Sequence, residues 1–252
     1  MKLFKLYILV TFLTILSCKK TNPPFVNTLT VNGGVVLTFD DTFVNQWDSL
    51  DRYISNTYDW KATFFVARFY SFGAPATKKL LDLQNKGHEI GYHGTHHIDA
   101  VKYLSGHSIE EYADYELSDL SAMKDSGLNL TSFAYPYGSN NQSTDDYLLK
   151  IFSKLRCLDA GGKAPDKSKC YYNGSSIEYA VAIDEDTKYA TINYITKLLQ
   201  YARDNNKILI LLAHNPLVKP DATGHQVAYS TIQYICKYAS ENKMRMLRFK
   251  DL

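Results

Sequence analysis

The sequence predicts an α/β protein in which parallel strands alternate with helices, arranged as a barrel or as a doubly wound sheet. Strand-like and helix-like segments alternate along almost the whole chain. The apolar strand-like runs lack polar alternation, which is typical of strands covered on both faces. Several of these runs are followed by acidic, histidine or tyrosine side chains, and a β/α barrel gathers such strand ends on one rim.

Seven segments have strand character, and helix-like segments lie between them. The strands are expected at residues 35–41, 62–66, 89–93, 132–135, 179–183, 208–213 and 244–249. Helices are expected at residues 44–58, around the leucines before Gly87, from 109 to 120, from 147 to 155, from 192 to 202 and from 232 to 239. Ser108 and Glu111 form a capping box for the third of these helices. Residues 157–178 are polar and contain glycines, so we expect a loop there.

The amino terminus predicts export. Residues 1–5 are basic, and the apolar run that follows over residues 6–16 is too short for a comfortable membrane span. Residues 15–18 (Ile-Leu-Ser-Cys) resemble the cleavage box of bacterial lipoproteins. We therefore expect a signal peptide at 1–17, lipidation of Cys18, a polar tether over 18–30 and an exported lipoprotein anchored to the membrane at the cell envelope. An ordinary signal peptide and an uncleaved anchor are the alternatives.

The charge balance gives no reason to expect a nucleic-acid partner. The chain has 28 Lys and Arg and 26 Asp and Glu, and removal of residues 1–17 takes away two lysines, which leaves 26 of each sign. Residues 31–252 are long enough for a single domain with a full core. In an exported protein Cys157 and Cys170 could form a disulfide; the alternative is that both, with Cys236, are free thiols.

Side chains suited to catalysis stand at the predicted strand ends. Asp40 and Asp41 end the first strand, His93 ends the third, Tyr137 follows the fourth and His214 follows residues 208–213. Because the carboxyl ends of the strands of a β/α barrel share one rim, we expect these side chains to lie close together.

Two histidines and a carboxylate suggest a metal centre. His93 and His97 are four residues apart, a spacing that a turn of helix brings to one face. With Asp41 they form a ligand set that suits a catalytic divalent ion with an open position for water, most often zinc. His96 is not spaced to bind the same ion as His93, and it is expected to face solvent or to lie behind the ligands. The remaining histidines, His88, His107 and His225, are expected to be structural or exposed.

Four motifs, taken in order, resemble those of the polysaccharide deacetylase family with the NodB-type domain, the family also known as carbohydrate esterase family 4. They are Thr-Phe-Asp-Asp at 38–41, His-x-x-x-His at 93–97, Tyr-Pro-Tyr-Gly at 135–138 and Leu-Leu-Ala-His at 211–214. The preceding Ala134 gives the third motif a form similar to that of poly-N-acetylglucosamine deacetylases. The resemblance implies a distorted (β/α)7 barrel over residues 31–252.

The resemblance also implies a role for each motif residue. Asp41, His93 and His97 would hold one divalent metal, with zinc expected first and cobalt, nickel or iron as alternatives. Asp40 would be the general base, because a carboxylate that binds the metal is poorly placed to accept a proton. His214 would be the general acid that protonates the leaving amine.

Tyr137 has two expected roles. Its backbone N–H would stabilise the oxyanion in this family. Tyr135, Pro136 and Tyr137 would also contact the substrate, and Tyr171 and Tyr172 are further candidates to line the groove.

Two departures from the family pattern put the tuning of the acid and the base in doubt. The arginine that usually starts the third motif and pairs with the base carboxylate is Ala134 here. The tryptophan that usually lines the groove has no counterpart, because Trp47 and Trp60 come too early in the chain. Asp184 or Asp186 could supply the carboxylate that orients His214.

The leading interpretation is a metal-dependent hydrolase that removes N-acetyl groups from an N-acetylglucosamine polysaccharide, β-1,6-linked ahead of chitin. The alternatives are an O-acetyl esterase acting on xylan-like glycans and a catalytically inactive carbohydrate-binding relative. A serine hydrolase is disfavoured because no Gly-x-Ser-x-Gly motif occurs in the chain.

The lipoprotein interpretation makes a prediction of its own. The variant Cys18→Ala should carry no lipid and should leave the membrane fraction if cleavage still occurs, because the thiol that would accept the lipid is gone. Mass spectrometry of the native and variant proteins measures this. An unmodified Cys18 in native, membrane-associated protein would contradict it.

Overall fold

A computed structural model describes residues 33–221 and 223–252. The signal peptide, Cys18 and the polar tether predicted for residues 1–30 lie outside the described residues. None of the helices in the described part of the chain is long and apolar enough to cross a membrane.

Seven parallel strands close into a barrel, as the sequence predicts. The strands of the described chain are β1 Gly34–Asp41, β2 Thr63–Val66, β3 Glu89–Tyr92, β4 Ser132–Ala134, β5 Lys154–Asp159, β6 Ile177–Ala182, β7 Ile208–Ala213, β8 Asn215–Leu217, β9 Gln226–Ala228 and β10 Arg245–Leu247. Strands β1 to β7 pair in chain order, and β1 also pairs with β7, which closes the ring. β10 pairs with the first half of β1 and β2 pairs with the second half. β8 and β9 form a separate two-stranded sheet beyond the end of β7.

Helices cover the outside of this barrel. They are α1 Val44–Ile54, α2 Ala74–Asn85, α3 Ala100–Tyr103, α4 Ile109–Glu116, α5 Leu120–Asp125, α6 Gln142–Leu148, α7 Ile192–Asp204 and α8 Tyr229–Glu241. The predicted capping box is confirmed at the start of α4: the Ser108 side chain accepts from the backbone of Glu111, whose side chain accepts from the backbone of Ser108.

The sequence interpretation was wrong about residues 147–159. The predicted helix ends at Leu148, and the chain then enters β5, which the sequence did not predict. Leu155 and Cys157 point outward into the core beneath the helices, while Arg156 between them points into the barrel. A strand with one buried arginine has no clear apolar pattern. Leu155 also fits the apolar spacing of the preceding helix, so the sequence favoured a longer helix.

Side-chain alternation divides the buried residues into two layers. Along β1, Val35, Leu37 and Phe39 pack outward against the helices. Val36 belongs to the small interior core, which it shares with the inward-facing residues Phe65, Ala134, Ala180, Ile210 and Leu212 and with Phe249. By the same alternation Asp40 points into the barrel at its carboxyl end, where the interior becomes polar.

The amino end of the barrel is closed by hydrogen bonds. Glu89 is fully buried there and accepts hydrogen bonds from Thr63, Ser132 and the backbone N–H of Lys250. Burial raises the pKa of the Glu89 carboxyl, and these donors oppose the shift. Phe249, in the adjoining 3₁₀ turn, packs edge-on against Phe65 inside the barrel. These contacts fill the barrel interior at its amino end.

The three cysteines of the described chain are buried free thiols. Cys157, Cys170 and Cys236 form no disulfide, so the alternative of a bridge between Cys157 and Cys170 is wrong. Burial raises the pKa of each of these thiols to about 12, which keeps them unreactive near neutral pH.

Packing inside the barrel predicts that alanine substitutions at two glycines differ in their effect on stability. A methyl group added at Gly91, on β3, would come within 2.4 Å of the Phe65 ring, whereas one added at Gly106 would meet nothing within 4 Å. Gly91→Ala should therefore lower the free energy of unfolding by about 1–3 kcal/mol, the usual cost of overpacking a core, and Gly106→Ala should change it by less than about 0.5 kcal/mol. Chemical denaturation of both variants measures this, and equal stabilities would contradict the interior packing.

Candidate active site

One cavity at the carboxyl end of the barrel collects most of the predicted site residues. It has a volume of about 350 Å³. The polar and aromatic side chains that line it include Asp40, Asp41, His93, His97, Tyr137, Arg156, Asp184, His214 and His225. Each comes from the end of a strand or from the loop that follows it, except Arg156, which lies within β5, so the arrangement is a direct consequence of the parallel barrel.

The three predicted metal ligands converge in this cavity. Oδ1 of Asp41 lies 3.2 Å from Nε2 of His97 and 3.7 Å from Nε2 of His93. The ligand atoms of all three residues lie within 4.8 Å of one another. The two imidazole rings are nearly perpendicular, with centroids 4.9 Å apart, so their Nε2 atoms approach the same point from different directions.

The histidine pair is brought together by a loop and not by the predicted turn of helix. His93 follows β3, and residues 93–99 contain no helix. The backbone of His97 has a positive φ of 58°, and the glycine between the two histidines, Gly94, has a φ of 86°. A Cβ at Gly94 would overlap the Glu116 side chain, so only glycine fits there.

A buried glutamate clamps this loop. Glu116, on α4, is fully buried, and its carboxylate accepts hydrogen bonds from the backbone N–H groups of His96 and Ile98, the two neighbours of His97. Burial raises the pKa of Glu116 to about 7, although the two N–H donors oppose the shift. The clamp holds His97 from both sides in a strained conformation, which is typical of functional residues.

The hydrogen bonds of the site fit a metal centre. Nδ1 of His93 lies 2.8 Å from the carbonyl oxygen of Ala134, to which it can only donate, so Nε2 keeps its lone pair for an ion. Burial is the main cause that lowers the pKa of His93, to about 4, which keeps this imidazole neutral. Burial by itself would raise the pKa of Asp41, but the hydrogen bond to His97 and the neighbouring histidines lower it. One anionic and two imidazole donors suit zinc and similar divalent ions.

The predicted base, Asp40, has an arginine partner that the sequence analysis missed. Arg156 on β5 donates from Nη2 to Oδ2 of Asp40, and both side chains are almost completely buried. No group in the described part of the chain donates to the other oxygen, Oδ1, although this atom is buried as well. Oδ1 therefore keeps its capacity to accept a proton inside the cavity.

Arg156 occupies the place of the arginine that the third motif lacks. In the register of the sheet, Ala134 on β4 lies directly beside Arg156 on β5, and both face the barrel interior. An arginine at position 134 would start from the strand next to that of Arg156 and face the same interior. The number of strands gave no signal, because the seven predicted strands already included residues 244–249, which contain β10, a strand beside β1 that is not part of the closed ring.

Asp184 orients the predicted acid, His214. Oδ1 of Asp184 accepts from the backbone N–H of His214 at 3.0 Å, and Oδ2 lies 2.7 Å from Nδ1 of its ring. Of the two carboxylates considered from the sequence, Asp184 is therefore the one in contact. Nε1 of Trp47, a buried residue of α1, donates to the carbonyl oxygen of His214 at 3.0 Å and fixes the backbone from the other side.

This environment keeps His214 protonated near neutral pH. Burial alone would lower the pKa of the imidazole, but the hydrogen bond and charge of Asp184, together with the charges of Asp40 and Asp41, outweigh it and raise the pKa to about 9. A cationic imidazole can donate a proton and is a poor metal ligand. Asp184, His214 and His225 are also close enough to hold an ion, but the proton shared by the first two opposes this.

His225 is exposed, in line with the expectation that it is structural or exposed, but it also lies at the site. Its ring stacks on His214 with a centroid distance of 4.8 Å, and Nδ1 lies 3.0 Å from Asp186. It precedes β9, and only the pairing of β8 with β9 brings it back to the rim. No sequence motif marks that pairing.

The tyrosines predicted to contact substrate differ in their exposure. Tyr137 is 65% exposed, has a positive φ of 59° and sets its ring edge-on to His97. Tyr135 is fully buried and donates its hydroxyl to Asp145, so its ring is not available for stacking on a sugar. Pro136, between them, is also buried.

Tyr171 and Tyr172 do not line the cleft, so that expectation was wrong. They lie beside the first residues of β7, at the amino end of the barrel, because Tyr171 pairs with Leu209 and the N–H of Tyr172 donates to Ile208. The hydroxyl of Tyr172 donates to Leu252 at the carboxyl terminus.

The fold and the site define a β/α barrel with carboxylate and histidine side chains gathered on one rim. The profile described as polysaccharide deacetylase matches residues 30–153. Residues 30–153 belong to the polysaccharide deacetylase family, which confirms the resemblance for the three motifs within this range; the fourth motif, at 211–214, lies outside it. No curated protein matches the chain in sequence.

Solved structures share this fold. A family 4 carbohydrate esterase from Streptomyces lividans in complex with acetate has a TM-score of 0.56 and 17% identity, over 85% of this chain and 91% of that one. The chitin deacetylase of the fungal pathogen Colletotrichum lindemuthianum has a TM-score of 0.56 and 17% identity, over 88% of each chain. A pseudoenzyme of the same family from Bacillus anthracis has a TM-score of 0.56 and 16% identity, over 88% of this chain and 65% of that one. At these identities the similarities establish the fold alone.

The buried ion pair predicts the effect of moving the arginine. Arg156→Ala should lower the free energy of unfolding by roughly 3–5 kcal/mol, because it leaves the buried Asp40 carboxylate unpaired. The double variant Ala134→Arg/Arg156→Ala should recover much of that loss from the adjacent strand. Thermal and chemical denaturation measure both variants. A single variant as stable as the wild-type protein would contradict the pairing.

The contact between Asp184 and His214 predicts a pH effect. Asp184→Asn removes the charge that stabilises the imidazolium, so the pKa of His214 should fall from about 9 towards or below the ordinary value of 6.5. An acid is active only while protonated, so the alkaline fall of kcat/KM should move to lower pH. Asp186→Asn, which removes the neighbouring carboxylate on His225, is the matched control. An unshifted profile in Asp184→Asn would refute this role.

Proposed function

We propose that this family member is a metal-dependent N-deacetylase acting on an N-acetylglucosamine polysaccharide. The observation that carries the proposal is the cavity at the barrel rim, where a two-histidine, one-carboxylate set, a buried carboxylate and a charged histidine line the same space. When bound, a divalent ion in such a set polarises an acyl oxygen and makes water nucleophilic near neutral pH.

Asp40 is proposed as the base. Its Oδ2 is held by Arg156, while Oδ1 has no donor in the described part of the chain and can take a proton from the attacking water. The arginine also offsets the cost of burying the carboxylate, because it supplies the opposite charge within hydrogen-bonding distance.

His214 is proposed as the acid, and this role favours an amide over an ester. An amine leaves only after it is protonated, so N-deacetylation needs a proton donor that still carries its proton near neutral pH. The pKa of His214, raised to about 9 by Asp184, meets this need. After donation, Asp184 still holds the ring in place through Nδ1.

Tyr137 is proposed to contact both the acyl oxygen, through its backbone N–H, and the sugar, through its ring. Its positive φ turns the chain sharply at the rim, and its ring is mostly exposed beside His97. The backbone N–H would support the oxyanion, as the family resemblance implies, while the ring offers an apolar face to the substrate.

An inactive carbohydrate-binding relative is the second candidate, since one of the similar structures is a pseudoenzyme. Against it, the carboxylate base, its arginine partner, the acid and the acid's carboxylate partner are all present and in contact. A protein that only binds sugar has no need to bury two such pairs at a cost in desolvation.

The proposed location is the cell envelope, through lipid on Cys18. It rests on the sequence of residues 1–18 alone. An exported chain is compatible with a polymer substrate outside the cytoplasm and with a membrane anchor on the enzyme.

The proposal predicts release of free amine that depends on metal. The zinc-loaded protein should liberate amine and acetate from β-1,6-linked N-acetylglucosamine oligomers, faster than from chitin oligomers and with a rate that rises with chain length. A chelator should abolish the activity. Asp40→Asn should lower kcat by roughly two to four orders of magnitude, while Asp82→Asn, on the exposed face of α2, should not.

The product distinguishes the alternatives. Acetate without amine, released from O-acetyl xylan only, would identify an esterase. Turnover of none of these glycans by protein with stoichiometric metal would support the inactive relative and contradict the proposal.

A further inference from the structure

Two buried carboxylates lie behind residues 93–99, the loop that carries His93 and His97 and that we call the ligand loop. Glu116 ends α4 and Asp119 directly precedes α5, and the proposed acid-base chemistry uses neither of them. A carboxylate is seldom fully buried unless donors surround it, because the loss of hydration destabilises its charge. The donors around each carboxylate therefore show what it holds in place.

The Glu116 side chain accepts hydrogen bonds from the backbone of the ligand loop. Oε2 accepts from the N–H of His96 at 2.9 Å, and Oε1 accepts from the N–H of Ile98 at 3.0 Å. The residue between these two donors is His97, whose φ is 58°. One carboxylate therefore spans the backbone of a metal-ligand candidate and fixes it on both sides.

Gly94 provides the space that the Glu116 side chain occupies. A Cβ at Gly94 would come within 2.0 Å of Oε1 of Glu116 and within 2.6 Å of its carboxyl carbon. The φ of Gly94 is 86°, a conformation that glycine adopts without strain. A glycine at position 94 and a glutamate at position 116 are therefore complementary, because the absent side chain makes room for the carboxylate.

Asp119 contacts other parts of the same region. Its Oδ1 accepts from the hydroxyl groups of Thr95, at 2.9 Å, and Tyr92, and its Oδ2 accepts from the backbone N–H of Tyr70 at 3.2 Å. Tyr92 is the last residue of β3. Asp119 therefore joins the start of the ligand loop to the barrel, whereas Glu116 acts on the backbone around His97.

The two histidines depend on different parts of the fold for their positions. His93 follows directly after β3, and its ring is fixed by the carbonyl oxygen of Ala134. His97 lies in a stretch without helix or strand, and a histidine at positive φ is uncommon unless its surroundings hold it there. Nε2 of His97 nonetheless lies 3.2 Å from Oδ1 of Asp41. The contacts that fix the backbone of His97 thus decide where this nitrogen lies.

We propose that Glu116 is a positioning residue of the metal centre, and that it sets the affinity of the ligand set for a divalent ion by fixing the backbone around His97. The proposal rests on the proposed function, since it takes Asp41, His93 and His97 to bind the ion. Glu116 itself neither binds the ion nor reacts. It acts by keeping one ligand in place before the ion arrives, so that less freedom is lost on binding.

Zinc affinity, measured by competition with a chelating dye, tests this role without turnover. Glu116→Gln keeps the size of the side chain but replaces one carboxylate oxygen with an amide NH2, which cannot accept from a backbone N–H. The zinc dissociation constant should rise by about 10- to 100-fold, the usual range when a partner that orients a metal ligand is removed. Circular dichroism of each variant verifies that it is folded.

Two matched variants control for lost stability and for lost charge. Glu89→Gln alters a buried, hydrogen-bonded glutamate at the opposite end of the barrel, and Glu110→Gln alters an exposed glutamate on α4. Both should bind zinc like the wild-type protein. Wild-type zinc affinity in folded Glu116→Gln would overturn the proposal. An equal loss of affinity in Glu89→Gln would overturn it as well, because lost stability would then be the cause.

Hydrogen exchange of the metal-free protein, resolved by NMR, gives a second readout. At least one of the backbone N–H groups of His96 and Ile98 should exchange about tenfold faster in Glu116→Gln than in the wild-type protein, because its acceptor is gone. The N–H of Val36, inside β1, should not change. Equal acceleration at Val36 would indicate general destabilisation and contradict the positioning role.

The two proposals can fail separately. If zinc affinity depends on Glu116 but the wild-type protein releases no amine from any glycan, the deacetylase assignment fails and the positioning role holds. If amine is released normally and Glu116→Gln binds zinc like the wild-type protein, the positioning role alone fails. A wild-type protein that binds no zinc would refute both.

Discussion

Closure of the barrel between β1 and β7 is the constraint on which the site depends. Their register runs from Gly34 opposite Ile208 to Phe39 opposite Ala213, so both strands end at the same height. Asp40 and Asp41 then emerge beside His214, although more than 170 residues separate them in the chain. The other strands add their own end residues to the same rim because all of them are parallel. A change in this register would separate the base from the acid while leaving each strand intact.

The second constraint is electrostatic. The rim buries several charged side chains, and buried charges destabilise a folded protein unless they are paired. Each acid-base residue has a dedicated partner of opposite sign: Arg156 for Asp40, and Asp184 for His214. The partners come from β5 and from the end of β6, strands that carry none of the family's motifs. Together the two pairs place a carboxylate and a cationic imidazole in one cavity, the combination that the proposed acid-base chemistry on an amide requires.

The sequence predicted the barrel, the strands that carry the motifs and the residues that converge on the rim. These features follow from local signals, such as the apolar run at 208–213 that ends at His214, and from motifs with fixed spacing. The partners were harder to find. Arg156 lies on β5 between two apolar residues that face outward, and this short pattern did not distinguish the strand from the end of a helix. Its role as the partner of Asp40 depends on the register of β5 beside β4. His225 reaches the site through a short strand pair, and Tyr171 and Tyr172 leave it because the segment after β5 crosses to the amino end. These are non-local facts that a single sequence does not encode in any contiguous pattern.

The central claim is that Asp41, His93 and His97 form the metal centre while His214 stays free of the ion and acts as the acid. The most direct measurement is anomalous diffraction at the zinc edge on crystals of the zinc-loaded protein. The account predicts one ion per chain within about 2.0–2.2 Å of one oxygen of Asp41 and one nitrogen of each of His93 and His97. An ion bound instead among Asp184, His214 and His225, or no ion near Asp41 at full zinc loading, would contradict it.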